Sequence, residues 1–233
     1  MELLVFDDIE WAANAAIEIY KNIQVSLNDK KICNVVLTGG RSASKIYPFL
    51  QDLLNESSDQ IAFYFGDERC VPPDHEDSNY ALVMRTLFSN GIRFNHFVYK
   101  MYNGNEDKET AALNYEKLLP CSADLVILSL GDDGHIASLF PKGSWKELHN
   151  RRVICSELPG IRHPRISVTA KVLVNAKSII VLASGKNKGQ VMAKLNKSDD
   201  IFEIPARIAL KGTWVIDQSA FNAMKDSIDA NQK

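Results

Sequence analysis

Seven short apolar or β-branched runs recur along the chain, and stretches with a helical pattern of apolar positions separate most of them. Runs of this length and composition predict strands. Strands that alternate with helices form βαβ units, so we predict an α/β fold with a mainly parallel sheet covered by helices on both faces. The predicted strands are Ile32–Leu37, Ile61–Phe65, Phe97–Tyr99, Leu125–Leu130, Ile166–Thr169, Ser178–Ala183 and Thr213–Ile216.

Apolar residues at helical spacing precede the first of these strands. They are Ile9, Ala13, Ala16, Ile17, Tyr20 and Ile23. This spacing predicts an opening amphipathic helix with these side chains on its buried face. Asp7 and Glu10, three residues apart, predict a capping box at its start. No repeat, low-complexity tract or long linker interrupts the chain, so we expect one domain over residues 1–233.

The charge balance limits the partners that the protein can have. Twenty-seven Lys and Arg residues stand against 29 Asp and Glu residues, a net charge of −2. Because a polyanion needs a basic field, we expect no nucleic-acid partner. The chain shows neither a signal-peptide start nor a run of transmembrane length, so we expect a cytoplasmic protein without membrane contact. No amphipathic seam indicates an interface, so we expect a monomer.

The cysteines argue against a zinc site. They are widely spaced and form no CxxC pair, so we expect free thiols in a reducing compartment. The four are Cys33, Cys70, Cys121 and Cys155.

The segment Asp124–Pro141 is the most informative part of the sequence. An apolar strand ends abruptly at Gly131, and His135 follows shortly after it. Ligands of open parallel sheets bind outside the carboxyl ends of the strands, which predicts that His135 lies in a crevice. An imidazole titrates near neutral pH, so it can take a proton from water and return it to a leaving group. On this segment alone, a loop histidine that caps a helix is the more common alternative.

The first strand-to-helix junction has the composition of a phosphate-binding loop. The strand runs into Gly39 and Gly40, and the helix that follows carries Ser42 in its first turn. Glycines let the backbone approach an anion, and a helix N-terminus offers unpaired N–H groups with a favourable dipole. Arg41 adds a positive charge. Neither GxxxxGK[ST] nor GxGxxG is present, which favours a sugar phosphate over a nucleotide. The alternative is a tight turn with ordinary capping serines.

The second junction, Ile61–Tyr80, ends its strand in a glycine followed by an Asp-Glu-Arg triplet. We expect Asp67 to orient His135 or a water molecule, and Arg69 to pair with a phosphate or a developing oxyanion. A surface ion-pair cluster is the alternative. Residues 77–79 predict the cap of the next helix, with Asn79 and Tyr80 at most wall residues of the site.

Two later basic residues are candidates to grip a phosphate from the opposite side. Arg165 precedes one predicted strand, and Lys188 follows another. The alternative for each is a solvated surface charge. The remaining histidines lie in polar or turn-like segments without metal-ligand spacing, so we expect no metal. These are His75, His96, His149 and His163.

Taken together, these segments resemble the 6-phosphogluconolactonase family over nearly the whole chain. The most specific similarities are the Asp-Glu-Arg-x-Val-Pro and Gly-x-Asp-Gly-His-x-Ala-Ser-Leu-Phe-Pro segments. The matching segments, in order, are Thr38–Ser42, Gly66–Pro73, Asp77–Tyr80, Gly131–Pro141, Arg165–Thr169, Gly185–Lys188 and Ile204–Arg207.

The resemblance implies a three-layer α/β/α fold with a modified Rossmann-like sheet. It implies hydrolysis of 6-phospho-D-glucono-1,5-lactone to 6-phospho-D-gluconate, the second step of the oxidative pentose phosphate pathway, without metal or cofactor. His135 would be the general base, and the Gly39–Ser42 loop with Lys188 would hold the phosphate. The family's loop usually continues with Thr-Pro where this chain has Ser42 and Ala43. Loss of that proline makes the start of the helix less rigid.

Two other functions remain open from the sequence. Glucosamine-6-phosphate deaminases share the Asp-Gly-His element but continue with Phe-Asn-Glu-Pro, where this chain has Ser138–Pro141. They also carry Asp-Glu-Tyr in place of Asp67–Arg69. A sugar-phosphate sensor without catalysis would keep the same phosphate loop. The two differences from the deaminases, at Ser138–Pro141 and at Asp67–Arg69, favour the lactonase.

Overall fold

The computed structural model describes residues 1–55, 60–92, 96–148, 150–196 and 198–230. The strands are β1 (Glu2–Phe6), β2 (Ile32–Leu37), β3 (Gln60–Phe65), β4 (Asp67–Arg69), β5 (His96–Val98), β6 (Leu125–Ser129), β7 (Val153–Ser156), β8 (Arg165–Val168), β9 (Ser178–Ala183) and β10 (Thr213–Asp217). The helices are α1 (Trp11–Leu27), α2 (Gly40–Asn55), α3 (Asn79–Thr86), α4 (Lys108–Leu118), α5 (Ala170–Val174), α6 (Lys186–Met192) and α7 (Gln218–Asp229). Short 3₁₀ helices lie at Ser144–Leu148 and Pro205–Ala209.

Seven strands form one parallel sheet in the order β1-β10-β9-β6-β2-β3-β5. Its central strands are apolar and buried, as expected when helices cover both faces of a sheet. A second sheet, β4-β8-β7, is antiparallel and small. The predicted α/β fold with a mainly parallel, Rossmann-like sheet is confirmed. In the described part of the chain, none of the helices combines the length and apolar character needed to cross a membrane.

All seven strands are parallel, but the order in which the chain adds them to the sheet reverses between β2 and β6. From β2 the chain continues to β3 and β5, whereas from β6 it continues to β9 and β10 on the other side. Right-handed crossovers in opposite directions put their helices on opposite faces. In agreement, α1 packs beside α2, and α6 packs beside α7. In sheets of this kind, ligands bind at the carboxyl end of the switch point, here between β2 and β6.

The seven predicted strands are confirmed, and their bounds differ by no more than one residue at either end. The pattern did not predict β1, β4 or β7. β4 consists of Asp67, Glu68 and Arg69, so it has no apolar run to reveal it. It becomes a strand because it pairs with β8, a partner almost a hundred residues later.

The predicted opening helix is confirmed as α1. The predicted capping box is wrong, and the buried face of α1 consists largely of other residues than predicted. Glu10 is the N-cap residue and its side chain makes no capping bond, while the Asp7 carboxylate accepts the N–H of Ile9 at 2.9 Å. Ile9 precedes the helix and is 92% exposed. Trp11 determines which face of α1 is buried, because its indole N–H donates to the carbonyl of Val215 at 3.1 Å. The buried side chains are Trp11, Ala15, Ala16, Ile19 and Ile23.

Two buried tyrosines hold the ends of the strands that lead into the site. The Tyr47 hydroxyl donates to the carbonyl of Thr38 at 2.6 Å and accepts the Thr38 N–H at 3.2 Å. The Tyr115 hydroxyl accepts the N–H of Phe65 at 2.6 Å and contacts its carbonyl at 3.2 Å. Since these backbone groups lie where the regular ladder ends, the tyrosines supply the partners that they would otherwise lack.

Candidate active site

A cavity of about 330 Å³ lies at the carboxyl ends of β2, β3 and β6, at the switch point of the sheet. It brings together most of the residues that the sequence singled out. Those that line it are Gly39, Gly40, Arg41, Ser42, Asp67, Arg69, His135 and Lys188. Arg165 is absent from the described lining and lies beside Arg69 on the neighbouring strand.

The Gly39–Ser42 loop opens helix α2, as the sequence predicted. Gly40 has a φ of +84°, a left-handed conformation that glycine adopts without strain. A Cβ atom on Gly39 would overlap the amide group of Asn79, so glycine is required there for packing. The backbone at this helix start therefore lies close to the cavity, with the Ser42 side chain in the first turn.

The cations of the site share a carboxylate that the sequence did not single out. Lys188 Nζ lies 2.7 Å from Asp132 Oδ1, and the lysine side chain is only 14% exposed. Arg41 Nη2 lies 3.7 Å from the same carboxylate, but its side chain is 90% exposed. Lys188 is thus held in place, whereas Arg41 is a screened surface cation. The Asp132 carboxylate thus keeps Lys188 beside the Gly39–Ser42 loop, which carries Arg41.

His135 forms a tight pair with Asp133. Its Nδ1 atom lies 2.5 Å from Asp133 Oδ1, and its backbone N–H donates to the same oxygen at 3.0 Å. Burial raises the pKa of Asp133, but the hydrogen bond from the His135 ring and its charge outweigh burial, so the pKa is below its ordinary value. A carboxylate that accepts from Nδ1–H leaves Nε2 as the nitrogen that carries the lone pair.

Local packing fixes the ring of His135. A Cβ atom on Gly131 would overlap the imidazole, so the ring lies directly on the glycine backbone. The ring of Phe140 contacts it from another side, with the centroids 4.8 Å apart. The Gly131 N–H donates to the His135 carbonyl at 2.8 Å, which closes the turn.

Asp67 lies in the cavity but contacts other partners than the sequence suggested. Its Oδ2 atom accepts from the Ser138 hydroxyl at 2.6 Å, and its Oδ1 atom accepts from the Asn79 amide at 3.2 Å. The structure gives no hydrogen bond between Asp67 and His135, whose partner is Asp133. Asp67, Ser138 and Asn79 are all buried. The carboxylate is therefore fixed on two sides.

Glu68 is a buried carboxylate that caps helix α3. It accepts the N–H groups of Asn79 at 2.7 Å and Tyr80 at 2.8 Å, together with the Ser78 hydroxyl at 3.1 Å. Burial raises the pKa of Glu68, although three backbone N–H donors oppose this effect. Ser78 is the N-cap of α3, as predicted. The first turn of α3, which carries Asn79, is thereby attached to β4.

Arg69 and Arg165 are direct neighbours across the β4–β8 ladder. Arg69 Nη1 donates to the carbonyl of Asp77 at 2.6 Å, and Arg165 Nη1 donates to the carbonyl of His163 at 2.6 Å. Burial, followed by the charge of Arg69, lowers the pKa of Arg165. Two guanidinium groups side by side create a positive potential at the edge of the cavity.

One cluster outside the cavity has ligand types that a metal ion could use. His75, Asp77 and His163 offer ligand atoms within 4.8 Å of one another. The His75 Nδ1 atom, however, accepts the N–H of Asp77 at 3.0 Å, and Arg162 lies 3.0 Å from the Asp77 carboxylate. A metal-bound histidine normally donates from its second nitrogen, so this arrangement fits hydrogen bonding better. The predicted absence of a metal stays a prediction, and His149 lies outside the described residues.

A doubly wound α/β sheet binds its ligand at the switch point. A polar cavity there, with a glycine-rich helix start and a histidine–aspartate pair, is typical of an enzyme that acts on a small molecule. The sequence profile described as "Glucosamine-6-phosphate isomerases/6-phosphogluconolactonase" matches residues 7–216. The chain belongs to this family.

Individual relatives agree with this assignment. A 6-phosphogluconolactonase of Pseudomonas putida is 32% identical over 208 residues, which cover 85% of this chain and 84% of that protein. The crystal structure of a 6-phosphogluconolactonase from Shewanella baltica matches with a TM-score of 0.82 at 23% identity, over 93% of this chain and 97% of that one. A monomeric glucosamine-6-phosphate deaminase matches with a TM-score of 0.77 at 22% identity, over 96% and 100%. At such identities the structural matches show a shared fold, and the fold alone does not separate the two activities.

Proposed function

We propose that the protein hydrolyses 6-phospho-D-glucono-1,5-lactone to 6-phospho-D-gluconate, without a metal, and that His135 is the general base. The main support is the His135–Asp133 pair on the wall of a cavity that also holds the Gly39–Ser42 loop and Lys188. The similarity to the lactonase of Pseudomonas putida over most of both chains supports the choice of substrate.

In this mechanism a water molecule attacks the lactone carbonyl and gives a proton to Nε2 of His135. The Asp133 carboxylate stabilises the imidazolium that forms. When the tetrahedral intermediate collapses, the bond from carbon to the ring oxygen breaks and the same proton passes to that oxygen. The product then carries a free hydroxyl and a carboxylic acid, which loses its proton to the solvent at neutral pH and becomes the carboxylate. Acid–base catalysis of this kind contributes typically about 10²- to 10⁴-fold.

The substrate phosphate would be the handle that orients the lactone. The backbone at the start of α2, the Ser42 hydroxyl and Lys188 supply donors and charge on one side of the cavity. Arg69 also lines the cavity and would serve the phosphate or the oxyanion, with Arg165 as a further candidate for the phosphate. We assign Asp67 to orienting the attacking water, because its carboxylate lies in the cavity without contacting His135.

A deaminase acting on an amino-sugar phosphate is the second candidate, since such an enzyme has the same fold. The glutamate of the deaminase Phe-Asn-Glu-Pro segment corresponds in position to Phe140. Phe140 is buried, and its ring packs on the imidazole of His135. This part of the site therefore lacks the carboxylate base that the deaminase motif supplies.

The test is hydrolysis of freshly generated 6-phosphogluconolactone, coupled to 6-phosphogluconate dehydrogenase and corrected for spontaneous ring opening. We expect the wild-type protein to accelerate the reaction, and His135→Ala to lose most of this acceleration while its melting temperature stays close to that of the wild type. Lys21→Ala, on the exposed side of α1, is the control.

An active His135→Ala variant would keep the reaction and refute the general base. No acceleration by the wild type, with ammonia released from glucosamine 6-phosphate, would favour the deaminase. Binding of 6-phosphogluconate without either reaction would favour a sensor. The monomeric state and the cytoplasmic location stay predictions, and gel filtration tests the former.

A further inference from the structure

We propose that Asp77 and His163 form a positioning pair that holds Arg69 in its place at the cavity. Neither residue lines the described cavity, so each would act through the arginine. The inference rests on the proposed function, in which Arg69 contacts the substrate. The Asp77–His163 pair joins two loops, the one between β4 and α3 and the one between β7 and β8.

A closed ring of contacts carries this inference. Arg69 Nη1 donates to the backbone carbonyl of Asp77 at 2.6 Å. The side chain of Asp77 then lies 2.9 Å from His163 Nε2 through its Oδ2 atom. The backbone carbonyl of His163 accepts from Arg165 Nη1 at 2.6 Å, and Arg165 pairs with Arg69 across the ladder. The two carbonyls that orient the two arginines thus belong to the two residues that bind each other.

The arginines need such a restraint because their charges repel. Like charges directly opposite on adjacent strands are destabilising, and the long side chain of arginine has many rotamers. A carbonyl acceptor on one Nη1 atom limits these rotamers, and leaves the other guanidinium N–H groups of Arg69 to meet an anion. A carbonyl on a freely moving loop would restrain the arginine weakly. A link between the two loops makes both carbonyls more rigid.

The ion pair between Asp77 and Arg162 does not replace the link to His163. Arg162 also reaches the Asp77 carboxylate, at 3.0 Å, but its side chain is 68% exposed, so the ion pair is screened. The His163 side chain is 21% exposed and the Asp77 side chain 29%. The hydrogen bond from His163, with Arg162 nearby, lowers the pKa of Asp77, so the carboxylate is ionised at neutral pH. The rings of His75 and His163 form a T-shaped pair with their centroids 5.6 Å apart, which restricts the orientation of His163.

The test is a double-mutant cycle between His163 and Arg69, measured as kcat and KM for lactone hydrolysis. We expect His163→Ala to lower kcat/KM by about 10-fold, and to change the same parameter, kcat or KM, that Arg69→Ala changes. In the Arg69→Ala background, His163→Ala should have less than about a 2-fold effect, because the group that it positions is gone.

Two further variants separate positioning from a general structural role. His163→Gln places a side-chain N–H donor near the original Nε2 and should recover most of the lost activity. Arg162→Ala, which removes only the exposed partner of Asp77, should stay within about 2-fold of the wild type. Melting temperatures of all variants check that the fold is kept.

An equal effect of His163→Ala with and without Arg69 would overturn the inference, and so would full activity of His163→Ala. If the wild type does not hydrolyse the lactone, the proposed function fails and the same cycle is measured as the Kd of 6-phosphogluconate. Non-additive Kd values would then support the pair. Additive values, or an Arg69→Ala variant that binds like the wild type, would overturn it.

Discussion

Replacement of Tyr47 by Phe tests whether the buried tyrosine fixes the backbone of Thr38, which leads into the Gly39–Ser42 loop. The hydroxyl is the partner of both the N–H and the carbonyl of Thr38, and both residues are buried. Without it, two buried backbone groups lose their partner. An unsatisfied buried group costs about 1–3 kcal/mol, so about 1.5 kcal/mol for each gives a loss of about 3 kcal/mol in the free energy of unfolding.

For a chain of this size, each kcal/mol shifts the melting temperature by about 2–4 °C, so Tyr47→Phe should melt about 6–12 °C below the wild type. Urea unfolding followed by tryptophan fluorescence should show the loss in the midpoint with an unchanged slope. Because Thr38 lines the cavity next to Gly39, we also expect KM for the lactone to rise.

Tyr64→Phe is the matched control for this prediction. Tyr64 is also buried and stacks on Tyr99 with ring centroids 4.8 Å apart, but within the described residues its hydroxyl makes no hydrogen bond. Burial raises the pKa of both Tyr64 and Tyr47, so each hydroxyl stays neutral over the assay range. Tyr64→Phe should change the melting temperature by no more than a few degrees. Equal losses in the two variants would refute the argument from the Thr38 backbone.

Three other predictions follow from the site and the thiols. Asp133→Asn removes the charge that stabilises the His135 imidazolium, so kcat in the lactone assay should fall about 10²-fold or more without a comparable change in KM. Gly131→Ala places a methyl group where the His135 ring lies, so activity should fall by at least about 10-fold while circular dichroism still reports a folded chain. Titration of the native protein with a thiol reagent at pH 7.5 should modify Cys121 first because it is exposed, and a faster reaction of any other cysteine would contradict the structure. Burial raises the pKa of the other thiols, to about 11 for Cys33 and Cys70 and about 12 for Cys155.

The parts of the fold that local sequence encodes could be predicted. Apolar runs and glycine-containing junctions identified the central strands and the Gly39–Ser42 loop, because burial on both faces and a close backbone approach restrict residue type locally. The same logic placed His135 at the end of β6. β4 has no such local signal, because its charged residues are in a strand only through pairing with β8.

Side-chain partners in the site were harder to predict, since most of them come from distant parts of the chain. Asp67 is 71 residues away from Ser138, its closest hydrogen-bond partner, and no spacing rule links the two. The partner of His135 had a local signal: Asp133 lies only two residues before it, in a turn closed by Gly131. The sequence argument considered only Asp67 as a partner for His135 and therefore missed the acceptor two residues before the histidine.

The charged triplet of β4 shows why the site and the fold depend on each other. Side chains alternate between the two faces of a strand, so Asp67 and Arg69 share the face that lines the cavity and Glu68 lies on the other. Glu68 attaches the first turn of α3, and Asn79 in that turn donates back to Asp67. The Asn79 amide also packs on Gly39, at the start of the Gly39–Ser42 loop. A shift of α3 would therefore move the Asp67 carboxylate and the Gly39 backbone together, so the two sides of the cavity keep their spacing.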